Sequence, residues 1–209
     1  MRIIVRGNES HQQEFSKRNI PPGFNVRWYQ PAELIEEAEG DVFFDFCYDS
    51  EHTRGNIFVK GRLVFANSVI TTTTEFKYPN HVRINGWNGF IEKDILELAS
   101  SNPEMRNWAE EAMGMLGWKF TWAPDEPGLI APRIIAMIVN EAYFGLEDGI
   151  STREEIDTAM KLGTNYPYGP FEWSRIIGLK HIHALLEKLS VTDERYKPGP
   201  LLVQEATGN

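Results

Sequence analysis

The spacing of apolar residues changes part-way along the chain. Over residues 1–122 short β-rich runs alternate with short helical ones. Arg2–Arg6, Phe24–Tyr29, Asp41–Tyr48, Leu63–Val69, Val82–Trp87, Ile95–Leu98 and Lys119–Trp122 read as strands. The third of these, DVFFDFCY, is apolar enough for burial on both faces. Gln12–Arg18, Pro31–Glu39 and Pro103–Leu116 read as helices, with Pro31 in a first turn. Thr71–Thr74 reads as a strand end or turn. Strands alternating with helices imply a parallel, doubly wound sheet.

From Pro127 to Ser190 the spacing is helical. Ile130, Ile134, Ile135, Ile138, Val139 and Ala142 recur at the helical period in a segment ending near Gly149. Ser151-Thr152-Arg153-Glu154 reads as a capping box for the next helix, which Gly163 stops. Gly169-Pro170 opens a third helix and Lys180–Ser190 forms a fourth. The tail from Val191, with its Pro and Gly, is expected on the surface. The stiff, polar stretch Ala123-Pro124-Asp125-Glu126-Pro127-Gly128 divides the chain into an α/β domain, residues 1–124, and an all-α domain, residues 125–209.

Bulk properties narrow the choices. The chain has 209 residues, 42% hydrophobic and 24% charged, as in ordinary globular proteins. Its formal net charge is −9 and no run of Lys or Arg appears, which argues against nucleic acid and anionic membrane as partners. An anionic ligand would need a local positive site. One cysteine, Cys47, permits no intrachain disulfide. Met1 leads straight into Ile3-Ile4-Val5, without signal-peptide character, and no apolar run reaches the about 18–20 residues of a membrane span. The cytoplasm is the expected address.

Several motifs carry a resemblance. Asp125-x-Pro127-Gly128-Leu129-Ile130-x-x-Arg133 is followed by Asn140-Glu141-Ala142, by Ile156–Gly163 (IDTAMKLG), and by Tyr166-Pro167-x-Gly169-Pro170-Phe171-Glu172. This succession resembles the C-terminal domain of the 3-hydroxyacyl-CoA dehydrogenases, a helical fold of the 6-phosphogluconate dehydrogenase C-terminal-like kind. Arg195–Leu202 (RYKPGPLL) resembles that family's closing segment. More faintly, Gly40–Asp45 resembles its third-strand segment and Phe65–Ser68 the strand end carrying a substrate-contacting Ser. The resemblance thus implies a shortened Rossmann-like parallel sheet followed by the helical domain.

It also implies a site, and shows what the site lacks. Asn85-Gly86-Trp87-Asn88-Gly89 stands where the family has His-Phe-Phe-Asn-Pro, and Glu97 stands where it has the glutamate that orients the histidine. Asn85 and Glu97 keep the family's spacing of twelve positions. Asn85, Glu97 and Ser68 are therefore the candidate catalytic positions, and Asn67 and Asn88 the candidate substrate contacts. A carboxamide does not titrate near neutral pH, so Asn85 can donate a hydrogen bond but cannot act as base. A solvated or strand-end role for Glu97, and a cap or turn role for Asn67 and Ser68, stay open. Pro132 stands where the family has a substrate-contacting Asn.

The family's dinucleotide fingerprint is Gly-x-Gly-x-x-Gly, whose bare glycines let backbone N–H groups reach a diphosphate. Here the run is Gly7-Asn8-Glu9-Ser10-His11-Gln12. Only Gly7 remains, a vestige of the cofactor loop or simply a turn glycine, and Glu9 sets a carboxylate where phosphates would sit. Tyr29-Gln30 replace the acidic residue expected at the second strand end, and the helical hairpin after that strand is missing.

Other residues carry less. His181 and His183 point to different helix faces, which argues against a metal site. His52 and His81 are isolated candidates for a replacement base. Trp108, Trp118, Trp122 and Trp173 read as core or interface anchors, and Glu126, Glu141, Asp157 and Glu172 as solvated or capping groups. No metal and no cofactor are expected. The leading expectation is a chain without NAD-dependent dehydrogenase activity: a homodimer, formed through the helical domain, that binds acyl-CoA or a protein partner. The alternatives are an active oxidoreductase with an altered site, requiring NAD, and a purely structural dimer subunit.

Overall fold

The structure, a computed structural model, describes residues 1–33, 38–48, 62–76 and 78–208. The chain divides into two compact units, Met1–Leu129 and Ile130–Asn209.

Among the described residues the first unit is built on seven strands: β1 (Arg2–Arg6), β2 (Asn25–Tyr29), β3 (Val42–Asp45), β4 (Leu63–Asn67), β5 (His81–Ile84), β6 (Ile95–Ala99) and β7 (Lys119–Trp122). Their order in the sheet is β2-β1-β3-β4-β5-β6-β7. All neighbours run parallel except β5 and β6, which pair antiparallel with Ile84 opposite Leu98. The expected parallel, doubly wound sheet is thus seen, with one antiparallel pair within it. Residues 85–94 hold no helix to carry the chain back across the sheet, so it returns alongside β5 in the opposite sense.

Alternation along the strands fills both faces. Ile3, Val5, Phe44, Phe65, Val82 and Leu98 face one core, and Ile4, Phe43 and Val64 face the other. Onto the first face pack α1 (Glu9–Ser16) and α2 (Pro103–Leu116). Phe15 of α1 meets Phe44 and Trp118 edge-on at 5.4 Å each, and Phe44 stacks on Phe65 at 4.9 Å. The α1 helix starts three residues before the expected Gln12, because Asn8 caps it. Between β4 and β5 lies a short 3-10 turn, Thr73–Glu75. The helix expected over Pro31–Glu39 is not seen at its described ends: residues 31–33 form a turn and 38–40 are irregular. Residues 34–37 and His52 lie outside the described residues.

The second unit comprises α3 (Ala131–Glu147), α4 (Arg153–Thr164), α5 (Pro170–Ile177), α6 (Leu179–Ser190) and α7 (Pro200–Thr207). The cap of α4 is Thr152 with Glu155, one residue later than expected, and the helix runs through Gly163 to stop at Asn165, which is left-handed at φ 56°. The tail is not a loose surface strand. A 3-10 turn at Glu194–Tyr196 leads into α7, and Tyr196, Leu202 and Ala206 are buried. Gly199-Pro200 opens that helix as Gly169-Pro170 opens α5. No described helix is long and apolar enough to cross a membrane.

Candidate functional site

In open α/β sheets ligands bind beyond the carboxyl ends of the strands, where the strand order reverses. Here the reversal lies between β1 and β3. Arg6 and Asp45, the last residues of those strands, stand opposite each other in register. Arg6 is 2% exposed and Asp45 not at all. They form a two-pronged ion pair, Nε to Oδ1 and Nη2 to Oδ2, both 2.9 Å. Asp45 Oδ1 also accepts the Cys47 N–H at 3.0 Å. Sequence reading missed this pair. The usable signal was a charge of opposite sign closing each of two buried apolar runs, IIV-R and VFF-D.

The loop after β1 is likewise closed on itself. Gly7 donates its N–H to Tyr29 O at 3.1 Å, and a Cβ on Gly7 would lie 2.9 Å from His11 Cβ. It is a turn glycine with a side chain packed over it. Asn8 Oδ1 accepts the His11 N–H at 3.0 Å, while His11 Nδ1 accepts the Asn8 N–H at 3.2 Å. The imidazole rests 5.4 Å from the Phe46 ring. Two N–H groups that a diphosphate would use are thus satisfied by the chain's own side chains, and Glu9 occupies the first turn of α1. A dinucleotide diphosphate would have to displace the buried His11 ring or the Asn8 cap and approach the like charge of Glu9. These residues do not fit that cofactor.

The ends of β4 and β5 hold the remaining candidates. Asn67 donates Nδ2 to Phe46 O at 3.1 Å and accepts the Gly86 N–H on Oδ1 at 3.0 Å. It ties three strand ends together. A Cβ on Gly86 would lie 2.7 Å from Phe46 Cδ1 and 2.8 Å from Asn67 Cβ, so this close approach needs glycine. Ser68, fully buried, donates its hydroxyl to Thr71 O at 2.8 Å. Asn85 stands beside Glu97 across the β5–β6 ladder, its N–H donating to Glu97 O at 3.1 Å. Its side chain is 2% exposed; Oδ1 accepts the Trp87 N–H at 3.4 Å, and Nδ2 has no hydrogen bond among the described residues. Glu97 and Asn88 are half-buried. The fold therefore brings Asn85 to Glu97 and Asn67 to Gly86, while Asn67 and Ser68 spend their polar atoms on the backbone.

Two buried charges here had no sequence signal. Glu14 of α1 accepts the Gly89 N–H on Oε1 at 2.7 Å. Burial pushes its carboxyl above the usual range, with the Glu92 charge adding to the rise, against the opposing hydrogen bonds from Gly89 and Ile91. Arg83, wholly buried, donates to Ser68 O (2.8 Å), Val69 O (2.9 Å), Asp125 Oδ1 (2.8 Å) and Glu126 O (3.0 Å). The Asp125 carboxyl is desolvated by burial, yet hydrogen bonds from Thr73 and Arg83 outweigh this and hold it below its ordinary range.

In the helical unit the motif residues make structure. Asn140 donates to Lys197 O at 3.0 Å and accepts the Gly199 N–H at 2.8 Å, fastening the closing segment to α3. Asp157 of α4 accepts the Phe171 N–H at 2.7 Å, capping α5. A Cβ on Gly169 would fall 2.4 Å from Asp157 Cα, so glycine lets these helices meet. Glu172 accepts the Gly169 N–H at 2.9 Å and pairs with Lys161. Pro132 lies buried in the first turn of α3. Ile130 and Ile134 are 41% and 52% exposed, and an apolar groove of about 310 Å³ runs between Ile138, Ala142, Ile150, Ile156 and Met160. Among the described residues no three His, Cys, Asp or Glu gather as a metal site would require.

Comparison with known proteins adds to this geometry. Residues 128–207 match the family described as 3-hydroxyacyl-CoA dehydrogenase, C-terminal domain. Over 84 residues the chain is 48% identical to 3-hydroxyadipyl-CoA dehydrogenase of Escherichia coli K12, which covers 39% of this chain and 18% of that protein. Over 98 residues it is 37% identical to 3-hydroxybutyryl-CoA dehydrogenase of Bradyrhizobium diazoefficiens, covering 46% and 33%. The chain thus spans a third or less of these curated relatives. Likeness over the whole chain is likeness of fold. FadB2 of M. tuberculosis aligns with a TM-score of 0.74 at 17% identity, covering 99% of this chain and 93% of that one. The (S)-3-hydroxybutyryl-CoA dehydrogenase PaaH1 from Ralstonia eutropha gives 0.72 at 18%, with the same coverage.

Proposed function

We propose, from the premise that this chain belongs to the 3-hydroxyacyl-CoA dehydrogenase family, that it holds an acyl-CoA without oxidising it, as a homodimer joined through its helical unit. The observation that carries this reading is the closed loop after β1. The Asn8 and His11 N–H groups are taken by the chain's own side chains, and the neighbouring strand ends are bridged by Arg6 and Asp45. A hydride acceptor therefore has no seat, and Asn85 supplies no base. The names of the relatives support an acyl thioester as ligand, and the exposed Ile130 and Ile134 support pairing of two helical units.

One observation speaks for the competing reading, an NAD-dependent oxidoreductase with an altered site: Asn85 still stands beside Glu97. Titration with NADH, followed by nicotinamide fluorescence, separates the two. The proposal expects no saturable enhancement, together with calorimetric binding of an acyl-CoA and a dimer by light scattering. Saturable NADH binding would overturn it. A dimer that takes neither ligand would leave a structural or partner-binding subunit in its place.

A further inference from the structure

We infer that a pocket of about 200 Å³ in the first unit, between the end of α1, the 92–94 turn and the start of β7, binds a phosphate monoester. Lys17, Arg18, Lys93 and Lys119 surround it, with Glu92 and Asp94 between them. Four cations against two carboxylates leave a surplus of two positive charges, in a chain whose net charge is −9. The four come from three distant stretches of sequence, which is why no basic run announced them. A dianion, repelled by the chain as a whole, finds a complementary field here. A phosphate monoester carries about −1.5 to −2 near neutral pH, which matches the surplus.

The arrangement is built before any ligand arrives. The Arg18 guanidinium lies 4.2 Å over the Trp118 ring, and its Nη1 donates to Ile91 O at 2.9 Å and Lys93 O at 2.7 Å. Trp118 is pinned by its own Nε1 bond to Asn19 O at 2.8 Å. Arg18 Nε is buried and has no hydrogen bond among the described residues. Burial lowers the guanidinium pKa to about 10, which leaves it charged at neutral pH. Lys17 pairs with Glu92, and Lys119 with Asp94 at 2.8 Å. The Lys119 pair is exposed on both sides, 70% and 77%. Such exposed pairs are weak and yield readily to a stronger anion.

The phosphate could be free or the terminal 3′-phosphate of coenzyme A; the second source rests on the acyl-CoA reading above. The test is thermal melting in inorganic phosphate against chloride at matched ionic strength, for the wild type and for Lys93→Gln/Lys119→Gln. Lys119 is exposed and Lys93 half-buried, and neither belongs to the apolar core, so the variant is expected to fold. With phosphate at about ten times its dissociation constant, the wild type should gain about 3–6 °C and the variant less than about a third of that. An equal gain in both would mark a general salt effect and overturn the site, as would no gain in either. Broadening of the phosphate ³¹P resonance by the wild type, with none expected from the variant, gives an independent reading. Coenzyme A against its 3′-dephospho form then identifies the source. A preference for coenzyme A that the variant loses assigns the pocket to the coenzyme. Binding of inorganic phosphate but of neither coenzyme upholds the site and overturns the acyl-CoA reading alone.

Discussion

Replacing Asp45 by Asn isolates the charge at the closed strand ends. The amide keeps the shape of the carboxylate and an oxygen for the Cys47 N–H and for Arg6 Nε, now 3.0 and 2.9 Å away. What it removes is the negative charge facing a guanidinium that is 2% exposed. Arginine keeps its proton even when buried. Removing one partner of a buried ion pair costs about 3–5 kcal/mol. For a chain of this size each kcal/mol moves the melting point by about 2–4 °C, so a fall of about 6–20 °C is expected.

The companion variant Arg6→Met/Asp45→Asn removes both charges. An apolar side chain of similar length should recover more than half of the loss, because the buried guanidinium no longer faces a neutral amide in place of a carboxylate. Urea denaturation of the wild type, both single variants and the double variant closes the cycle, with tryptophan fluorescence reporting on the first unit. If Asp45→Asn costs under about 1 kcal/mol, or the double variant is as unstable as the two singles together, the pair does not close the strand ends as argued.

Gly86→Ala forces a methyl to within 2.7 Å of Phe46, and should destabilise by about 1–3 kcal/mol in the same urea assay. Asn140→Ala removes both ties to residues 197–199, so amides of α7 should exchange faster with deuterium while those of β1 do not change. Glu14 has a folded pKa raised above its ordinary 4.5, so the folded state holds its proton more tightly. Wild-type stability should then fall as pH rises from about 4.5 through the folded pKa. Glu14→Gln lacks this term, so its melting point relative to wild type should climb across that window; a constant difference would contradict the assignment. Asn85→His restores a base but no seat for a hydride acceptor, and should show no oxidation of a hydroxyacyl-CoA substrate in the presence of NAD; measurable turnover would refute the reading of the closed loop.

Legibility in the sequence followed the range of the interaction. The bounds of α2 were plain, because Asn102 caps it, Pro103 opens it and Gly117 ends it at φ 66°, all within one short stretch. The start of α4 was ambiguous even locally. STREE contains two overlapping Ser/Thr-x-x-Glu patterns, and the structure forms the cap from Thr152 and Glu155, with the Ser151 hydroxyl donating to the same Glu155. The α7 helix has too few turns to show a period, and its place is set by Asn140 on another helix. The antiparallel turn of β6 depends on what the 85–94 stretch fails to form. In the site, twelve positions of spacing brought Asn85 to Glu97, whereas Arg6 and Asp45 meet only because β1 and β3 become neighbours.

The two units bear differently on function. In the helical unit Asn140, Asp157, Gly169 and Glu172 are each occupied by a backbone group or a helix contact. Any chain that packs these helices needs them, whether or not it handles a hydroxyacyl thioester. Their presence goes with the packing of these helices and leaves the reaction undetermined. In the first unit Glu9 and Gln12 stand at the second and third glycine positions of the fingerprint, and Asn85 stands where the resemblance sets a base. Asn8 and His11 there satisfy each other's backbone N–H groups, and the neighbouring strand ends are joined by buried charges. The question of activity therefore rests on the first unit. Substitutions at the helical motifs should move stability, and only substitutions around β1, β3, β5 and the cationic pocket should move binding.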